Sequence, residues 1–280
     1  MSSRRIALLT LAAMIAFAGN SLLCRIALRS GHSDPATFTL VRLVSGAVVL
    51  SLIAFAKGEA PIRQGSWISA LALFAYAAGF SFAYVSLGAG AGALLLFGAV
   101  QTTMIGYGLW RGERLRWLQW AGLLLACSGL ALLLLPGASA PPLAGAALML
   151  AAGLAWGVYS LRGRGSRSPI AGTAGNFLRA VPFALATVLA AAGTRSIDLD
   201  GAACAIASGA LASGLGCAIW YRVLPSLAAM TAASVQLSVP VITSVGAALF
   251  LGESVSLRLV LASIAVLGGI ALVISRRYRP

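Results

Sequence analysis

The chain has 280 residues, 60% of them hydrophobic and only 9% charged, with a mean hydropathy of +0.96 and a formal net charge of +14. Soluble domains carry about 25% charged residues, so a soluble fold is excluded. Apolar runs of about 20 residues recur instead, each long enough to cross about 30 Å of hydrocarbon. The positive charge lies in short loops between those runs, a distribution that points to membrane orientation rather than to nucleic acid.

The first run follows Met1-Ser2-Ser3-Arg4-Arg5. It is too long for a signal-peptide core, and Cys24-Arg25-Ile26-Ala27 makes a poor cleavage site, so it reads as a first span. Ten helices are predicted over 6–28, 36–56, 67–87, 91–110, 117–136, 142–161, 169–192, 202–221, 227–250 and 257–275. Turn and charge signals separate them: His32-Ser33-Asp34-Pro35, Lys57-Gly58-Glu59-Ala60-Pro61, and Pro136-Gly137 with Pro141-Pro142. Between the third and fourth helices the apolar run is unbroken from Trp67 to Trp110, and Gly88, Gly90 and Gly92 mark the expected turn.

The second half repeats the first at a shift of 140 residues, as Gly112-Glu113 against Gly252-Glu253 shows. On that shift Ser86-Leu87 meets Ser226-Leu227, Ala89 meets Ala229, Thr103 meets Thr243 and Leu109 meets Leu249. Gly129, Ala131 and Leu132 meet Gly269, Ala271 and Leu272. Upstream the shift shortens slightly, so that Phe17 meets Trp156 and Arg42 meets Arg179. Residues 1–136 and 137–280 are thus two five-helix repeats within a single membrane domain. With the N-terminus inside, 14 basic loop residues lie inside and 4 outside (Arg25, Arg29, Arg195 and Arg258), so both termini are expected in the cytoplasm. Five spans per repeat is an odd number, so the second repeat enters with the opposite orientation. The expected fold is an all-α integral membrane protein, a 5+5 inverted repeat with its substrate site at the midplane between the halves.

All six acidic residues (Asp34, Glu59, Glu113, Asp198, Asp200 and Glu253) fall in loops or at helix ends, as does the single His32. A proton-coupled carrier usually keeps an intramembrane carboxylate or histidine. No dedicated relay is expected, and transport would run by facilitation or exchange. Cys24, Cys127, Cys204 and Cys217 have neither metal nor disulfide spacing and read as small hydrophobes. No metal, cofactor or catalytic residue is expected, and the chain does not read as an enzyme.

The candidate substrate-binding set consists of aromatics and amides at membrane depth. Tyr76, Phe80 and Tyr84 share one face of the third helix. Phe17 and Asn20 share a face of the first, and their mates are Trp156 and Tyr159 in the sixth. Trp220 is the mate of Phe80, and Gln101 and Gln236 complete the set. Amides at that depth need a partner helix or a wet cavity, and rings beside amides suit a zwitterionic amino acid. A packing reading stands beside it: Tyr84, Tyr159 and Trp220 lie near enough to helix ends to be interfacial belt residues. Arg42 and Arg179 are anion-contact candidates because burying a guanidinium is costly. The competing reading has each snorkel to its nearer interface, in which case replacing Arg42 matters less than replacing Asn20. Pro182 and Pro240 each remove a backbone hydrogen bond and are hinge candidates. Gly108 and Gly112 form a GxxxG packing motif.

The doubled arrangement of a small-residue-rich span, a short turn, Gly-Glu and a Gly-rich span, over 86–135 and 226–274, resembles the drug/metabolite transporter superfamily, EamA type. The segment Asn20-Ser21-Leu22-Leu23-Cys24-Arg25 and Arg42 also resemble it. The resemblance implies a ten-helix metabolite exporter working by alternating access in a bacterial cytoplasmic (inner) membrane. Members of the type include amino-acid exporters, an aromatic amino-acid exporter among them. One departure is visible: the proline common in the fourth helix stands in the ninth as Pro240, while the fourth has Val100. Amino acids are the expected substrate, with a small-molecule partner, the lipid bilayer and a monomer sufficient to enclose a site. Nucleotide sugars, phosphorylated metabolites and drugs are the alternative. Phosphorylated substrates would want more deep cations, and cationic drugs a midplane carboxylate.

Overall fold

The computed structural model describes residues 1–275 apart from 32, 113, 138–139, 164–165, 192–195, 228–231 and 233–234. His32, Glu113, Arg164, Ala229, Arg195 and the arginines at 276, 277 and 279 therefore lie outside the described residues. The described chain is helical: α1 Ser3–Leu28, α2 Pro35–Phe55, α3 Trp67–Tyr84, α4 Ala89–Trp110 and α5 Trp117–Leu134 make the first half. In the second half α6 spans Leu143–Gly163, α7 Pro169–Ala190, α8 Leu199–Ser226, α9 Ser238–Leu251 and α10 Leu257–Ser275. Among the described residues nine of these are long and apolar enough to span a membrane; α9 is shorter, and part of the predicted ninth span lies outside the described residues.

Local chemistry sets the boundaries. The Asp34 carboxylate accepts from the Thr37 N–H at 2.8 Å and Pro35 opens α2, a cap that satisfies one of the helix's free donors. Ser66 caps α3 and Asp198 caps α8 in the same way. The unbroken run from Trp67 to Trp110 divides between Tyr84 and Ala89, with Gly88 leading into α4. Gly112 and Gly252 both take left-handed backbone, at φ 88° and 65°, a conformation that ends a helix and favours glycine. The GxxxG expectation therefore fails at its second glycine: Gly112 lies beyond the end of α4 and cannot present a helix face.

Hydrogen bonds fix which helix ends meet. At one end Arg25 of α1 reaches the carbonyls of Tyr84 and Val85 at the end of α3, and Arg258 of α10 reaches the Leu135 carbonyl after α5. At the other end Gln119, early in α5, donates to the Val273 carbonyl late in α10, and Arg162, late in α6, donates to Ser69, early in α3. α1 thus starts at the second end and α6 at the first. The two halves run in opposite directions, which is the inverted repeat.

The halves interlock. α1 packs against α8 and α9, its mate α6 packs against α3 and α4, α2 lies on α7, and α5 lies on α10. The α5–α10 seam is backbone on backbone, since a Cβ on Gly122 would meet the Gly269 carbonyl at 2.6 Å. Outward faces are apolar, and Trp110 and Trp117, 81% and 79% exposed, stand at the second end where an aromatic belt is expected.

Candidate functional site

The inner faces of α1, α2, α3 and α8 converge on the side chain of Arg42, which is only 2% exposed. Its Nη2 donates to the Tyr76 hydroxyl at 3.1 Å. Its guanidinium carbon lies 4.8 Å from the Phe80 ring centre and 5.3 Å from that of Tyr76. Such cation–π contacts are worth about 2 kcal/mol when desolvated. Asn20 Nδ2 donates to the same hydroxyl at 3.2 Å, and Ser208 Oγ donates to Asn20 Oδ1 at 2.6 Å. A chain of polar groups therefore runs from α8 through α1 and α3 to α2, joining both repeats.

Ser208 lies in a π-helical stretch of α8, Ala207–Leu215, a wound-out backbone often found at functional sites. The next residue, Gly209, lies so close to the Arg42 carbonyl and Ser45 Oγ that a Cβ there would collide with both. Glycine is thus what lets α8 come near enough for Ser208 to reach Asn20.

Aromatic rings extend from this centre. Tyr76 lies 4.6 Å from Trp156, which stacks on Tyr159 at 5.2 Å. Phe80 meets Tyr84 edge to face at 4.7 Å, and Phe17 meets Trp220 at 6.2 Å. Tyr84 is fully buried, its hydroxyl donating to the Ala89 carbonyl, so the belt reading does not describe it. Tyr159 and Trp220 are also buried, and Asn176 Nδ2 reaches the Tyr159 hydroxyl at 3.5 Å. Gln101 is buried in α4 and Gln236 is half-buried ahead of α9; neither is hydrogen-bonded to the Arg42 set among the described residues. Pro182 stands inside α7, and the Pro240 carbonyl accepts from Ser244 Oγ in α9.

The two candidate arginines are placed differently. Arg42 does not snorkel: it turns inward, where a phenol and two rings receive it. Arg179 bonds the carbonyls of Gly175 at 3.0 Å, Ile62 at 2.8 Å and Gln64, holding the turn Pro61–Arg63 against α7 at the second end. Among the described residues it is hydrogen-bonded to none of the aromatic set.

Sequence reasoning missed Ser208, Gly209 and one ion pair. Arg25 Nε meets Glu253 Oε1 at 3.1 Å at the first end, and Glu253 Oε2 accepts from the Ala89 N–H at 2.7 Å. A carboxylate from the second repeat thus caps α4 of the first, where the helix dipole favours negative charge. The Gly-Glu repeat was the available signal, since it placed Glu253 at a helix end.

Two cavities open at the ends of the bundle. One, of about 350 Å³, is lined by Lys57, Glu59, Pro169, Ile170, Tyr221 and Arg222 at the second end. The other, of about 260 Å³, lies at the first end beside Gly88, Pro142, Ser244 and Glu253. The Arg42 set carries the denser chemistry and borders neither cavity. Among the described residues no cluster of His, Cys, Asp or Glu could hold a metal.

Known proteins agree with this architecture. The model of the EamA-like transporter family matches residues 4–135 and again 143–275. An uncharacterized protein of Pseudomonas aeruginosa is 57% identical over 278 residues, covering 99% of this chain and 97% of that one. A solved crystal structure, 20% identical, has the same fold with a TM-score of 0.71 and covers 99% of this chain and 100% of its own. A double family match on two oppositely directed halves identifies a multi-pass membrane transporter of small metabolites, and the chain belongs to the EamA-like transporter family.

Proposed function

We propose that the protein is a secondary transporter that exports amino acids across a bacterial cytoplasmic membrane by alternating access, as a facilitator or exchanger. The observation that carries this reading is the buried set Asn20, Arg42, Tyr76 and Phe80 with the half-buried Trp156 against it, polar at its centre and aromatic around it. Polar groups there orient a head group, and the rings receive a side chain. Joining α1, α2, α3 and α8 gives the set a stake in both repeats, as alternating access requires.

The second end holds Lys57, Arg63, Arg111, Arg116, Arg162 and Arg222, which supports a cytoplasmic assignment for that end and for both termini. The described acids sit at bundle ends, so nothing in the set is suited to carry a proton. A monomer is sufficient, because the set lies within one chain.

Flux of labelled amino acids through proteoliposomes, with and without an imposed pH gradient, tests the reading. Saturable flux indifferent to the gradient is expected. Gradient-driven flux would remove the facilitator reading, and absence of amino-acid flux in folded protein would turn attention to phosphorylated metabolites or drugs.

A further inference from the structure

The centre of the set has donors without acceptors. Arg42 Nε and Nη1 are buried and have no hydrogen-bond partner. The Tyr76 oxygen accepts from both Arg42 and Asn20, so its own proton has no acceptor among the described residues. A buried, unpaired guanidinium is among the costliest groups a protein interior can hold. The described acids are remote: Glu253 is engaged by Arg25 and Ala89, and Asp34 and Asp198 cap helices at the first end. Buried Cys24 and Cys217 are free thiols and bring no compensating charge at neutral pH.

Resting on the reading of this set as the carrier's site, we infer that Arg42 binds a substrate carboxylate and that this carboxylate, not an ammonium group, is what the site recognises. A carboxylate accepts two donations from a guanidinium in a bidentate fork, and a third from a phenol. One negative charge neutralises Arg42, the one buried cation among the described residues. A phosphate monoester carries about two charges at neutral pH and would leave the excess unpaired. An ammonium group finds no carboxylate in the set. The rings of Tyr76, Phe80 and Trp156 border the same centre and suit an apolar or aromatic body on the acid.

The test is ligand-induced thermal stabilisation of the detergent-purified protein, with 3-phenylpropanoate, phenylalanine, phenethylamine and phenyl phosphate as probes. The first two are expected to stabilise, and phenethylamine is not. R42Q, checked for folding by gel filtration, should weaken both acids by about tenfold or more, as expected for loss of a charge-assisted pair. R42K should recover part of the loss, a rescue that a merely structural role would not track with ligand charge. The inference is overturned if folded R42Q binds the acids as tightly as the wild type. It is also overturned if phenethylamine competes equally, or if phenyl phosphate binds and the carboxylates do not. Should 3-phenylpropanoate bind through Arg42 while amino acids neither bind nor move, the amino-acid reading falls and this one stands. Should amino-acid flux persist undiminished in R42Q, this inference falls and the amino-acid reading stands.

Discussion

Arg42 and Arg179 occupy mate positions in the two repeats, yet Arg42 turns inward onto Tyr76 while Arg179 turns outward onto the carbonyls of Ile62 and Gln64. The shift that pairs Phe80 with Trp220 pairs Tyr76 with Gly216. At the position matching Tyr76 the second repeat therefore has no phenol to offer its arginine.

Tyr76→Phe should expose how much this set depends on one oxygen. It leaves Arg42 Nη2 and Asn20 Nδ2 each without an acceptor, at roughly 1–3 kcal/mol for each buried donor so orphaned. A lowered unfolding temperature in detergent together with reduced flux is expected. Unaltered stability would mean that the hydroxyl is not the acceptor for both.

Gly209→Ala should impair the site without altering any of its polar groups. The new methyl would collide with the Arg42 carbonyl and Ser45 Oγ, forcing α2 and α8 apart. Gly106→Ala is the control, because nothing lies within 4 Å of a Cβ there. Loss of transport in the first with near-normal transport in the second is the expected pattern.

Glu253→Gln should loosen the first end. The Arg25–Glu253 pair is partly exposed and worth at most about 1 kcal/mol as an ion pair. The same carboxylate also holds the start of α4, so its neutralisation weakens two ties at once. Cys24, fully buried one position before Arg25, is a native reporter. With the other cysteines replaced by serine, its labelling by a membrane-impermeant maleimide should rise in the variant; equal labelling would show that the pair does not hold that end closed.

Counterflow should outrun net efflux. An empty carrier that reorients must close its site around an uncompensated guanidinium, whereas a carrier loaded with a carboxylate is neutral there. Radiolabel exchange against internal substrate should therefore be several-fold faster than efflux into substrate-free buffer, by the same argument from buried charge. Equal rates would show that the empty form crosses as easily.

Much of the fold was legible because hydropathy and repetition are properties of the chain itself. The last helix lies at Leu257–Ser275, the expected span; of the three glycines expected to mark the turn after the third helix only Gly88 does so, while Gly90 and Gly92 lie inside α4. The aromatic members were legible for the same reason: Tyr76 and Phe80 repeat at helical spacing. The inward turn of Arg42 was not, because the direction of a long side chain is set by what the facing helices offer, and Tyr76 and Phe80 lie on a different helix. Ser208 gave no signal at all. A serine in a small-residue run looks like packing until a π-helical stretch and a neighbouring glycine bring it to Asn20.

The exchange of α1 and α6 between the halves has a genetic consequence. Each half lends its first helix to the other, so a chain cut in the linker near residue 140 yields two pieces whose first helices both lack their packing partners. Neither piece could insert and wait as a finished half-carrier. The two halves must therefore meet before either can complete a transport path, and the covalent linker makes that meeting certain.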